Sequence, residues 1–146
     1  MRVVGIKRIL CCFWFAVIPA LGNANPYTAE NFLKVWPIDA VTFEVIEARG
    51  EGARGIWCAA ASYAERELRI DPTSTIYVLV PRGPSATVPN RKGVVFTLDK
   101  ARLPETATIS QLSFATTRAA GTSFPSYLAR SFCRDRFGER DRWDYN

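Results

Sequence analysis

The sequence predicts an α+β fold: a small antiparallel sheet of three to four strands with two helices packed on one face. Three observations carry that expectation. Two β-forming runs, TIYVLV at 75–80 and GVVFTL at 93–98, are joined by a connection of about a dozen residues; this is too short for a helical crossover, so the pair is antiparallel. A helix-period apolar pattern precedes the two runs, and a second helical stretch follows them. The order strand, helix, two or three strands, helix is that of an α+β domain.

Taken from the start, the chain opens on Arg2, Lys7 and Arg8. An apolar run over 9–21 follows, then Gly22-Asn23-Ala24 ahead of Asn25-Pro26. A basic start, an apolar segment and small residues at the positions that signal peptidase reads predict an export signal over residues 1–24, cleaved after Ala24, with a single domain over 25–146. The apolar run is well short of the roughly 20 residues that span a bilayer. The expected location is therefore periplasmic or secreted, with no membrane span after cleavage. Cys11 and Cys12 would leave with the leader.

Export also changes the meaning of the charge. The whole chain is +5, from 19 Lys and Arg against 14 Asp and Glu. Three of the cations and none of the acids lie in the leader, which leaves 16 against 14, or +2. A nucleic-acid partner loses its main support, because the remaining cations are interleaved with acids, as in Arg66, Glu67, Arg69, Asp71.

Residues 25–37 and 138–146 are expected to be the mobile ends. VTFEVIEA at 41–48 reads as a half-buried strand, with Val41, Phe43 and Val45 on one side and Thr42, Glu44 and Ile46 on the other. Glu44, Glu47 and Glu51 read as the wet side and exit of that strand. Over 55–69, Trp57, Ala60, Ala61, Ala64 and Leu68 recur at helical spacing, and Asp71-Pro72 ends the helix. Residues 75–80 are apolar on both faces and belong in mid-sheet, 81–89 form a proline-rich loop, and 93–98 form the partner strand. A further strand is expected over 107–116, with Ile109, Leu112 and Phe114. After Gly121, Ser123 is expected to cap, and Pro125 to open, a helix running to 137, with Leu128, Ala129, Phe132 and Cys133 on one side.

Two cysteines remain outside the leader, Cys58 and Cys133, and only one pairing is possible. In an oxidising compartment they are expected to form a disulfide.

The chain contains no histidine, which removes Ser-His-Asp and Cys-His nucleophilic sites and histidine metal sites. Cys58 has Ala61 three residues on, so there is no C-x-x-C pair. No carboxylate spacing matches a calcium loop. No catalytic residue, metal site or cofactor is predicted. Arg82, Ser85, Arg91 and Lys92, in and beside the proline-stiffened loop, are the candidate binding residues, a set of donors suited to a phosphate, carboxylate or acidic polymer. A plain solvated connection is the competing account of this loop. In the tail, Arg140 to Tyr145 with Trp143 is expected to pack on its own domain or dock a partner.

The stretches FEVIEARGEGARGIWCAAASYAE (43–65) and IYVLVPRGPSATVPNRKGVVFTLD (76–99) resemble those of uncharacterised short exported proteins of alphaproteobacteria. The resemblance implies a bacterial periplasmic setting and supplies no activity, ligand or functional residue. The expected function is a non-enzymatic periplasmic binding or interaction domain for an envelope protein or anionic ligand. The alternative is a small cell-envelope enzyme using carboxylates or a Ser/Tyr/Arg set on cell-wall polymer.

Overall fold

In the computed structural model, which describes residues 25–108 and 115–134, the chain begins with a hairpin instead of a mobile end. Strands β1 (Tyr27–Thr28) and β2 (Lys34–Pro37) pair antiparallel through Tyr27 with Val35 and Thr28 with Lys34. Neither strand carries enough apolar pattern to be read alone. Their pairing to β3 (Thr42–Ile46) creates them, with Val35 opposite Val45 and Lys34 opposite Ile46. The sheet is completed by β4 (Thr75–Pro84), β5 (Lys92–Thr97) and β6 (Ser123–Pro125), in the order β1-β2-β3-β5-β4-β6, with every pair antiparallel. The α+β class holds, and the sheet has six strands instead of three to four.

Helix α1 (Ala53–Arg66) matches the alanine-rich pattern, although it starts two residues earlier and ends three earlier than the spacing predicts. Its alanines at 59, 60, 61 and 64 are fully buried and let the helix lie close on the sheet. Helix α2 (Ser126–Arg134) packs beside α1 on the same face. Ser123 and Pro125 were expected at the start of α2. They belong instead to β6, where Ser123 is fully buried. The strand expected over 107–116 lies mostly outside the described residues; residues 107–108 and 115–116 are not strand. Residues 135–137 of the second helix, the polar end at 138–146 and the tail at 140–145 also lie outside the described residues.

The core between sheet and helices is a chain of rings. Tyr27 contacts Tyr63, which contacts Phe43, then Phe96, Trp57, Phe124 and Phe132, with successive centroids 4.8–5.9 Å apart. Edge and tilted contacts dominate, the geometry that the ring quadrupole favours. The indole N–H of Trp57 donates to the Thr116 carbonyl at 2.9 Å, so the buried polar atom is satisfied. Cys58 and Cys133 are joined as a disulfide that ties α1 to α2, with Cα atoms 5.0 Å apart.

Over β3 and β5 the opposite face of the sheet is not wet, contrary to the half-buried reading of residues 41–48. Thr42, Glu44 and Ile46 are all buried, as are Val95 and Thr97 beside them on β5. The segment after β4 folds back over Glu44, and Arg102, in a 3-10 turn at Lys100–Arg102, donates to the Thr42 hydroxyl at 2.8 Å. The proline-rich loop is shorter than expected because β4 continues to Pro84 through two bulges, at 78–80 and 80–83.

Candidate functional site

One end of the sheet gathers the exit of β3, the end of β4, the start of β5, the β1–β2 turn and the first turn of α1. Gly93 of β5 pairs with both Ile46 of β3 and Gly83 of β4, and Lys34 also pairs with Ile46. The four predicted binding residues all lie here, and three of them hold the end together. Ser85 donates its hydroxyl to the Glu44 carboxylate at 2.9 Å. Arg82 forks onto the Glu47 carboxylate through Nε at 2.8 Å and Nη2 at 2.5 Å. Arg91 donates to the Glu47 carbonyl at 3.0 Å. Lys92 opens β5, exposed, and its own carbonyl accepts from the Glu47 N–H at 2.8 Å.

Glu44 organises the loop. Glu44 is 1 % exposed, and its carboxylate accepts four hydrogen bonds from 85–87, from the two hydroxyls of Ser85 and Thr87 and the two N–H groups of Ala86 and Thr87. It lies flat over Gly93, where a Cβ would come within 2.8 Å of its Cδ. Glu51 repeats the device at the start of α1. Gly52 at the N-cap has no side chain with which to cap the helix, and Glu51, 3 % exposed, folds over Gly55, where a Cβ would meet the Glu51 Cβ at 2.9 Å. A carboxylate over the first turn also complements the helix dipole. Sequence spacing gave no sign that these acids are buried. Their only sequence signal is a glycine elsewhere that has to remain side-chain-free.

With Glu44 and Glu51 buried, the exposed charge at this end is mainly positive, offset in part by the acids beneath. Lys34, Arg49, Arg82, Arg91 and Lys92 are all exposed, and Glu47 is the carboxylate interleaved with them, while Arg54 of α1 lies over the Phe132 ring in the helix layer. The remaining acid of the β1–β2 turn, Glu30, is turned into the helix layer and binds Arg130 and Arg66. Phe32 stands among the cations, 63 % exposed, with the Arg49 guanidinium carbon 5.2 Å from its ring centroid. Neither residue was singled out from the sequence.

A pocket of about 250 Å³ lies in the helix layer, lined by Glu30, Glu65, Pro72, Tyr127, Arg130 and Cys133. Its two carboxylates face each other across Arg130, which reaches Glu30 at 2.7 Å and Glu65 at 3.2 Å. Hydrogen bonding from Arg130 holds the Glu30 carboxyl below its usual value, with the Arg130 and Arg66 charges adding to it against partial burial. A general acid needs the opposite shift. The pair is built as an ion-pair clamp. Among the described residues no cluster of three or more His, Cys, Asp or Glu side chains could hold a metal ion.

Acid will loosen both regions. Glu30 is lowered chiefly by Arg130, Glu47 chiefly by Arg82, and Asp39 chiefly by the Val41 N–H with help from Arg102. A carboxylate lowered in the folded state contributes all its stability above its ordinary value and loses it as pH falls through the folded value. The urea midpoint is expected to be level near neutrality and to decline below about pH 5. A midpoint unchanged from pH 6 to pH 3.5 would contradict these ion pairs.

No family model, curated protein sequence or solved structure matches the chain.

Proposed function

We propose that this chain is a non-enzymatic binding domain of the periplasm whose basic sheet end recognises an anionic group on an envelope partner. The observation that carries the reading is the five exposed cations at one end, Lys34, Arg49, Arg82, Arg91 and Lys92, set on strands, the turn after β3 and a loop that Glu44 pins in place. Rigid presentation reduces the ordering cost of binding. The periplasmic setting is supported by the leader pattern of residues 1–24 and by a cysteine pair placed to form a disulfide between the helices.

Capture from envelope extracts tests it, with wild type compared with the triple variant Arg82→Ala, Arg91→Ala, Lys92→Ala. Arg82 and Arg91 also fasten the loop, so Lys92→Glu serves as the second variant, reversing a charge without touching those bonds. Wild-type capture that weakens in both variants and falls steeply with salt is expected. Equal capture by all three proteins would remove the basic end as the binding surface.

A further inference from the structure

We infer that the surface this end docks on is an anionic lipid bilayer, with Phe32 as the side chain that enters the interface. The inference rests on the proposed reading of the basic end as an anion-recognising surface, and it adds the class of partner. Phe32 has φ 63° and Arg49 has φ 61°, the left-handed region that non-glycine residues with bulky side chains rarely adopt. Two touching residues therefore both hold an unfavourable backbone conformation. What they accomplish is the display of an aromatic ring in water.

The display is rigid. The Phe32 N–H donates to the Ala29 carbonyl at 2.9 Å, and the Ala29 N–H donates to the Leu33 carbonyl at 2.9 Å. Asn31 next door is anchored to the Gly55 carbonyl at 2.7 Å. Strain kept by surrounding bonds in this way is characteristic of functional positions.

The distribution of charge identifies the partner class. The cations extend from β2 to β4, three strand spacings or about 14 Å, which is wider than one phosphate or carboxylate. Arg82 and Arg91 are tied to Glu47 instead of converging on a central point. The pocket of about 250 Å³ has two carboxylates in its lining, which disfavours a small anion there. A protruding ring beside Arg49, with further cations spread across the same end, fits a surface that offers many phosphates and an apolar layer behind them. Each cation brought near such a surface strengthens binding about fivefold, and burial of the Phe32 ring adds roughly tenfold or more.

The test uses protein exported and processed by a bacterial host, sedimented with vesicles of phosphatidylglycerol and phosphatidylcholine, and with vesicles of phosphatidylcholine alone. Retention on immobilised polyglutamate provides a soluble-polyanion arm. Expected are binding to the anionic vesicles only, loss of that binding in high salt, and about tenfold weaker binding by Phe32→Gly. Because glycine accepts φ 63° without strain, Phe32→Gly should also melt higher than wild type while keeping its retention on polyglutamate. Retention on polyglutamate without vesicle binding would overturn the bilayer inference and leave the anion-binding reading standing. Failure in both arms would overturn both. Equal binding to neutral vesicles, or anionic-vesicle binding unaffected by Phe32→Gly, would overturn the role assigned to charge or to the ring.

Discussion

Glu44→Ala is expected to destabilise the protein by about 3 kcal/mol and to release the segment 85–91 from the sheet, because four donors lose one acceptor. A buried donor left unsatisfied costs roughly 1–3 kcal/mol. The sum is held down here because Ala86 is exposed and Ser85 and Thr87 are only half-buried, so water can replace part of what is lost. The amides of Ala86 and Thr87 should then exchange rapidly. Gly93→Ala is the companion variant. Its Cβ would press on the Glu44 carboxylate, 2.8 Å from Cδ, and overpacking of this kind costs about 1–3 kcal/mol. In the Glu44→Ala background the collision disappears, so the two losses should be strongly non-additive. Urea denaturation of the four proteins measures this. Additive losses, or a Glu44→Ala loss below about 0.5 kcal/mol, would show that the carboxylate is not the anchor.

The legible elements were those whose pattern is their own. Helix α1 has Trp57, Ala60, Ala61 and Ala64 at helical spacing, and β4 and β5 are β-branched runs bounded by turn residues. The class and the antiparallel pairing of β4 with β5 follow from that, and the pairing of Cys58 with Cys133 follows from there being only two cysteines outside the leader. Strands β1, β2 and β6 contain two, four and three residues and owe their extended state to their neighbours, so local pattern does not reveal them. Ser123-Phe124-Pro125 has the chemistry of a helix start, and its pairing with 75–77 overrides it. The site divides in the same way. Arg82, Ser85, Arg91 and Lys92 do share one end of the sheet, but their attachment to Glu44 and Glu47 depends on partners about 40 residues away. The left-handed Phe32 carries no glycine or asparagine to announce it.

The staple between the helices sets the second large effect. The Cys58–Cys133 bond closes a loop with a sequence separation of 75, for which chain entropy alone gives roughly 4 kcal/mol. Helix α2 is joined to α1 by this bond. Over its described residues, α2 is held by Ala129, Phe132, the disulfide and the Arg130 bridges to Glu30 and Glu65. Cys58→Ser should therefore cost about 2–5 kcal/mol. Fraying of α2 should also free Arg130, whose hydrogen bond is the main cause of the lowered Glu30 carboxyl, so the variant's acid sensitivity at Glu30 should shrink together with its stability. Intact-mass measurement without reductant checks the bond itself, and urea denaturation with and without reductant checks its worth. Two free thiols in the exported protein, or reduced and oxidised forms with the same midpoint, would show that packing of Phe132 and the Arg130 clamp hold α2 without the staple.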